Sequence, residues 1–186
     1  MKYSDNRHNF VNLQLRSWTQ AYSRLLLIFH MNPLTNLHSM KLPLYQIDAF
    51  TDQLFQGNPA CVVPLPRWLP EAVLCNIAKE NGVAETAFFI QNAGKIHLRW
   101  FTPEIEMDLC GHATLATAHA LRTIMQRDEA VYYFETPSGR LSVTIEQDLY
   151  LLDFPSRPPE PAILPANIQQ ALNLAPTKVL NTKVGL

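Results

Sequence analysis

The sequence predicts an α+β fold in which a mostly antiparallel sheet curls around one central apolar helix. Stretches with strand patterns outnumber helical ones, and the connections between them are mostly short, as antiparallel pairing allows. One helical stretch, at 113–121, carries no Asp, Glu, Lys or Arg and is apolar on nearly every side. Because such a helix has to be buried all round, a sheet wrapped around it satisfies both observations.

Length and composition indicate a globular protein with a small-molecule partner. The 186 residues suit one domain, or one domain and part of a second. A net charge of -1 creates no field that would recruit nucleic acid or an acidic membrane. The three cysteines form no CxxC pair, which favours a reducing compartment and makes the cytoplasm the default location. The apolar run at 25–29 is too short to span a membrane.

The first residues differ in charge from the rest of the chain. Residues 1–39 carry four basic side chains against one acidic side chain, and Met40 stands directly before a clean strand pattern. We therefore expect 1–39 to be an extension of doubtful structural role. Residues 40–157 are expected to form a domain. Residues 158–186 are expected to be a proline-rich linker and the truncated start of a second domain, because the final strand pattern has no turn or cap after it.

The domain begins with two strands, a turn and a helix. Strand patterns at 44–50 and 60–65 flank the sequence QGNP, in which Gly57 suits a positive φ and Pro59 forces Asn58 to be extended. Asn58 is thereby placed on a rigid corner. An apolar face between Pro70 and Gly82 then predicts a helix of about three turns that Gly82 ends.

The remaining elements are mostly strands. Alternating patterns predict strands at TAFFI, IHLRWF and VYYFET, and a hairpin that turns at Gln147 and Asp148. The apolar helix after Cys110 interrupts this series. Its first N–H groups have no partner within the helix, and the helix dipole favours an anion there. Because Gly111 has no side chain to hinder an approach, we expect a substrate carboxylate at this helix start.

Four blocks of sequence, in order, resemble the PhzF-like phenazine-biosynthesis isomerase family. They read QIDAFTDQLFQGNPACVV, IAKENGVAETAFF, RWFTPEIEMDLCGHATLATAHAL and LDFPSRPP. The resemblance covers roughly 41–186 and is similar to the amino half of a family member. It implies the diaminopimelate epimerase-like fold, with two pseudo-symmetric domains that each wrap a sheet around a central helix. The active site is then expected in the cleft between the two domains.

The resemblance assigns the catalytic general acid/base to Glu85. Its apolar neighbours Val83, Ala84 and Phe88 would raise the pKa of the carboxylate toward useful proton transfer. The family implies that this residue removes a proton from an activated C–H carbon and returns it elsewhere on the same small substrate. Neither a metal nor an organic cofactor is implied.

Three further positions match substrate-binding positions of the family, and Cys110 needs separate treatment. The backbone of Gly111 and His112 is expected to hold the substrate carboxylate, and the His112 ring to hydrogen-bond the substrate. Asn58 matches a position near the cleft, although a turn-forming Asn needs no ligand to explain it. In related epimerases and racemases a cysteine at the position of Cys110 is one of two bases; the alternative is a buried, inert thiol.

Two other functional classes stay open. A metal site built from Asp108, Cys110, His112 and His119 is conceivable, but the spacing does not favour it. A non-catalytic fragment or interaction domain of a decayed gene fits a chain that resembles only half a fold. We expect this chain by itself to be inactive, and its uncovered apolar face to drive homodimer formation or aggregation.

Overall fold

The computed structural model describes residues 8–13, 22–28, 40–53, 55–173 and 176–181. The strands are β1 (His8–Leu13), β2 (Tyr22–Ile28), β3 (Met40–Ala49), β4 (Asn58–Pro64), β5 (Glu85–Asn92), β6 (Lys95–Phe101), β7 (Glu106–Met107), β8 (Val131–Thr136), β9 (Gly139–Glu146), β10 (Leu149–Pro155), β11 (Glu160–Pro161) and β12 (Leu180–Asn181). The helices are α1 (Glu71–Asn81), α2 (Gly111–His119) and α3 (Ala166–Leu172). A π-helical turn, Ala120–Ile124, prolongs α2.

The main sheet has the order β1-β10-β9-β8-β6-β5-β4-β3-β2. The short strand β7 pairs with the last two residues of β6, Trp100 and Phe101. The predicted α+β class is confirmed, and most strand pairs are antiparallel. Among the strands in the described ranges, two pairs are parallel, β4 with β5 and β6 with β8. Each parallel pair is joined through a helix, α1 in the first case and α2 in the second. This follows from geometry, because a parallel connection has to cross from one end of the sheet to the other.

Helices α1 and α2 lie on opposite faces of the main sheet. Alternate residues of β4 belong to different cores. Ala60 and Val62 belong to the core around α2, whereas Cys61 and Val63 belong to the core around α1. Helix α2 contacts β3, β4 and β5 on one side and β10 on the other, although these strands are far apart in the sheet order. The sheet therefore curls around α2, as the sequence predicts.

Helix α2 is the buried centre of the fold. Every residue from His112 to His119 is buried, which confirms the prediction made from the uncharged sequence. The helix begins at Gly111, two residues before the predicted start. The helix is buried on all sides because it is apolar on nearly every side, rather than along one amphipathic stripe.

Helix α1 and the two predicted turns also form as expected. Pro70 is the N-cap of α1, and Gly82 is the left-handed C-cap with φ +67°. Gly57 takes a φ of +90°. The hairpin of β9 and β10 turns at Gln147 and Asp148, where Gln147 has a φ of +56°.

The two ends of the chain add short elements. Strand β1 pairs with β10 and β2 pairs with β3, so both lie at the edges of the main sheet. Strands β11 and β12 pair with each other, with α3 between them in sequence. The predicted last strand therefore includes Leu180–Asn181, and residues 182–186 lie outside the described part of the chain. No helix in the described part is both long and apolar enough to cross a membrane.

Candidate active site

Glu85 is the first residue of β5 and lies on the face of the sheet that packs against α2. Alternation along the strand places it on the same face as Ala87 and Phe89, which belong to the α2 core. The next residue, Thr86, is fully buried on the opposite face and accepts a hydrogen bond of 3.0 Å from the side chain of Asn81 at the end of α1. This bond ties the end of α1 to the start of β5, next to Glu85.

His112 lies in the first turn of α2 and faces Glu85. The distance from His112 Nε2 to Glu85 Oε2 is 3.2 Å. The His112 side chain is 9% exposed and that of Glu85 is 18% exposed. These two atoms are buried, and neither of them makes a hydrogen bond to a residue that the structure describes. The structure thus brings together two residues that are 27 positions apart in the sequence.

Burial favours the neutral form of both Glu85 and His112. It raises the pKa of Glu85 above the ordinary value of 4.5 and lowers the pKa of His112 below 6.5. Desolvation acts in opposite directions on the two groups because it penalises the charged form of each. A carboxylate with a raised pKa is a stronger base, which suits proton abstraction from carbon.

Cys110 is the N-cap of α2 and completes the cluster. Its Sγ lies 3.5 Å from His112 Nδ1. Burial raises the pKa of the thiol to about 12, partly offset by a backbone hydrogen bond from Ala113, and the nearby Glu85 raises it further. The thiol is therefore protonated at neutral pH, although the helix start would by itself favour the thiolate. This favours the inert interpretation of Cys110 over the role of second base.

The space created by Gly111 is used by a neighbouring ring. A Cβ at this position would lie 3.0 Å from Cε2 of Phe154 on β10. The missing side chain therefore lets β10 pack closely against the start of α2. The expectation that Gly111 mainly clears a path for an anion needs this correction, but its N–H and that of His112 still have no carbonyl within the helix to bond.

Asn58 lies on the face of the sheet that carries the cluster, and Phe50 contacts one of its members. Asn58 begins β4, two residues before Ala60, which pairs with Glu85, so Asn58 shares the face that α2 covers. The ring of Phe50 meets the His112 ring edge to face, with the centroids 6.4 Å apart. Phe50 has a φ of +65° and is 41% exposed. Sequence reasoning missed Phe50, because no pattern signals a left-handed phenylalanine.

The metal site considered from sequence spacing does not assemble. Asp108 accepts a hydrogen bond from Arg157, and His119 lies two turns along α2 with Nδ1 3.0 Å from the Tyr150 hydroxyl. Within the described residues, the group whose donor atoms could share a metal consists of Glu85, Cys110 and His112, all within 4.8 Å of one another.

Comparisons with known proteins agree with this architecture. The family profile described as "Phenazine biosynthesis-like protein" matches residues 47–170. The chain is 49% identical over 143 residues to an uncharacterized isomerase of Pseudomonas aeruginosa, covering 77% of this chain and 55% of that protein. It is 44% identical over 131 residues to mouse phenazine biosynthesis-like domain-containing protein 2, covering 66% of this chain and 45% of that protein. The chain thus spans about half the length of these relatives.

Solved structures show the same relationship. A PhzF family protein of Enterococcus faecalis superposes with a TM-score of 0.65 at 46% identity, covering 75% of this chain and 54% of that chain. A predicted epimerase of Pseudomonas aeruginosa superposes with a TM-score of 0.50 at 21% identity, covering 57% of this chain and 40% of that chain, which shows a shared fold only. The profile match shows, in agreement with the curled sheet and the central helix, that the chain belongs to the PhzC-PhzF family of phenazine biosynthesis-like proteins.

Proposed function

We propose that this chain supplies the acid/base half of a cofactor-independent isomerase that acts on a small carboxylate-bearing molecule. The observation that carries the proposal is the contact between Glu85 and His112 at the start of α2, where a carboxylate and an imidazole share a desolvated position. The isomerase name of the Pseudomonas aeruginosa relative supports the same class of reaction. The alternative is a non-catalytic fragment or interaction domain of a decayed gene.

In the proposed reaction, Glu85 takes a proton from a C–H carbon and returns it to another carbon of the same substrate. The substrate loses and regains one proton, so its product is an isomer and no co-reactant is needed. The amides of Gly111 and His112 hold the substrate carboxylate at the positive end of the helix dipole. The His112 ring hydrogen-bonds the substrate, and Asn58 orients a polar group of it. Cys110 packs beside them as a neutral thiol.

The proposed reaction needs more protein than this chain contains. Proton abstraction from carbon requires water to be excluded from around Glu85, and this side chain is still 18% exposed. Because the chain spans about half the length of its relatives, the missing cover would come from the second half of such a protein. The chain alone is therefore proposed to be inactive and to self-associate as a homodimer. Its place of action is proposed to be the cytoplasm.

The proposal can be tested by exchange of hydrogen for deuterium at carbon in candidate substrates. A suitable substrate is any carboxylic acid that places a C–H carbon within reach of Glu85. A chimera would carry this chain in place of the matching part of the Pseudomonas aeruginosa relative, and small cyclic and unsaturated carboxylic acids would be incubated with it in D2O. Mass spectrometry would report deuterium gained at carbon, which the substrate takes up when the protonated Glu85 exchanges with D2O before it returns the proton. NMR would report the isomer formed without exchange. We expect exchange with the chimera, a loss of about 100-fold or more with Glu85→Gln, and no exchange with the chain alone. The exposed Glu80→Gln is the matched control.

Each outcome of this experiment decides between the two candidate functions. Exchange that survives Glu85→Gln would remove Glu85 from the role of base. A chimera that unfolds as cooperatively as the parent enzyme, but exchanges no acid that the parent exchanges, would favour the non-catalytic fragment.

A further inference from the structure

The donor atoms of Glu85, Cys110 and His112 form a compact set of three different metal ligands. His112 lies between the other two side chains, with Nε2 3.2 Å from Glu85 Oε2 and Nδ1 3.5 Å from Cys110 Sγ. Carboxylate, imidazole and thiolate are the three side-chain groups that bind Zn²⁺ most often. We propose that these residues bind a divalent transition-metal cation such as Zn²⁺, and that the cation blocks the site rather than serving as a cofactor.

The donor atoms lie close to the spacing that one tetrahedral ion needs. With Zn–N and Zn–O bonds of about 2.0 to 2.2 Å and a Zn–S bond of about 2.3 Å, ligands of a single zinc lie roughly 3.3 to 3.7 Å apart. The two contacts of His112 are already near this range, but they use different ring nitrogens. One nitrogen has to serve the ion, and all three donor atoms lie within 4.8 Å of one another. Binding therefore requires the side chains to rotate so that one His112 nitrogen faces the ion together with the other two donors.

A second observation points to a ligand at the same place. Glu85 Oε2 and His112 Nε2 are buried atoms that make no hydrogen bond of good geometry. The His112 side chain is nine-tenths buried, and its Nε2 lies 3.2 Å from Glu85 Oε2 without forming a hydrogen bond. Unsatisfied buried donors and acceptors are uncommon and often mark a site for a ligand or an ion. The partial exposure of Glu85 leaves a path by which an ion enters.

The charges balance when the cation binds. The ion displaces the proton of the Cys110 thiol, so one sulfur–hydrogen bond breaks, one sulfur–metal bond forms, and a proton goes to solvent. Thiolate, carboxylate and neutral imidazole then bring the net charge of the bound site to zero, which suits its burial. Three protein ligands leave the fourth position to water. Because Glu85 and His112 are both occupied, the cation would prevent the proposed proton transfer.

Cobalt is a spectroscopic probe for a tetrahedral site with a thiolate ligand. The untagged, reduced and metal-free chain would be titrated with Co²⁺, which gives a thiolate charge-transfer band in the near ultraviolet and strong visible bands when tetrahedral. We expect both bands to saturate at one ion per chain, with release of a proton, and to disappear when Zn²⁺ is added. Cys110→Ser should abolish the charge-transfer band. Cys75→Ser, at the partly exposed cysteine on α1, is the matched control and should change nothing.

The other two ligands give an independent check that does not depend on the cysteine. Glu85→Gln and His112→Gln should each weaken Co²⁺ binding by about tenfold or more, while circular dichroism shows the fold to be retained. A folded wild-type chain without the charge-transfer band, or a band that survives Cys110→Ser, would overturn the metal site. This experiment measures binding alone, so it stands or falls separately from the isomerase proposal.

Discussion

Burial of two titratable groups is the main physical feature of the site at the scale of single residues. Glu85 and His112 lie 3.2 Å apart, and desolvation is the cause of both pKa shifts, upward for the carboxyl and downward for the imidazole. A salt bridge between them would shift both pKa values the other way. Burial therefore makes the Glu85 carboxylate a stronger base and disfavours protonation of the imidazole beside it.

Replacing Gly111 by alanine should reveal its contact with Phe154. The added Cβ would lie 3.0 Å from the ring, so we expect Gly111→Ala to destabilise the chain by about 1 kcal/mol. In a Phe154→Ala background the same change should be neutral or stabilising, because alanine suits the first turn of a helix better than glycine does. Urea unfolding of the four proteins of this cycle measures the coupling. Equal effects in both backgrounds would mean that the ring does not restrict this position.

His119 should make the chain less stable in acid. Its pKa is lowered from 6.5 to about 4 in the folded chain, mainly by burial and then by Arg122. Below pH 6.5 the unfolded chain takes up a proton that the folded chain refuses until about pH 4, so folding weakens as the pH falls through this window. Between pH about 7.5 and about 5 the loss should be about 2 kcal/mol.

The variant His119→Gln should remove that part of the pH dependence. Urea unfolding of both proteins at the two pH values gives the comparison. An identical pH dependence in wild type and variant would show that His119 is protonated as easily in the folded chain as in the unfolded one.

The individual elements could largely be predicted, but their order in the sheet could not. Periodicity located α1, α2 and the β9–β10 hairpin because these depend on local spacing and turns. It did not locate the parallel pairs of β4 with β5 and of β6 with β8. Strand pairing across a helix is decided by which apolar faces meet in the folded core, and a single sequence does not state this.

The candidate site was predictable to a similar extent. Gly111 and His112 are adjacent in sequence, and the uncharged helix after them marks a buried helix start. Glu85 was found through the family resemblance, since an isolated Glu at the start of a strand has no distinguishing pattern. The contact of Phe50 with His112 was not predictable, because it depends on the left-handed φ of Phe50 in the loop before β4.

The loop between β3 and β4 should depend on Gly57 for two separate reasons. Its φ is +90°, and a Cβ there would lie 2.5 Å from the carbonyl oxygen of Ala49. Gly94 also has a positive φ, +75°, but a Cβ there would meet nothing within 4 Å. We expect Gly94→Ala to cost about 1 kcal/mol and Gly57→Ala at least about 2 kcal/mol more. Thermal unfolding compares them, and similar losses would show that the loop yields to the added methyl group.

At the scale of the whole molecule, apolar surface is left uncovered toward the end of the chain. Large apolar side chains exposed after the main sheet include Ile163, which is 94% exposed, and Leu172 on α3. The chain spans about half the length of its relatives, and exposed apolar groups of this kind are commonly covered by another domain or another chain. This is the physical basis for the proposals of inactivity and self-association.

Removing residues 1–39 tests the role of the extension. Among the side chains that the structure describes, the buried members of both cores lie between Leu42 and Leu152. We therefore expect the shortened chain to keep a cooperative unfolding transition. Its β3 and β10 edges would lose their partners β2 and β1, and unpaired edges promote association. Light scattering should show a larger mean mass for the shortened chain than for the intact one. An unfolded shortened chain would show that the extension is part of the domain.

The titration of the Glu85 carboxyl carbon tests the central claim most directly. Carbon-13 NMR of the metal-free chain would follow this signal with pH, and Glu85→Gln would identify it by its absence. Because burial is the cause of the shift, we expect a midpoint above 4.5 in the wild type. The raised midpoint should persist in His112→Gln if the site stays buried. A midpoint at or below 4.5 would show a solvated or charge-paired carboxylate, and would contradict the account of Glu85 as a desolvated base.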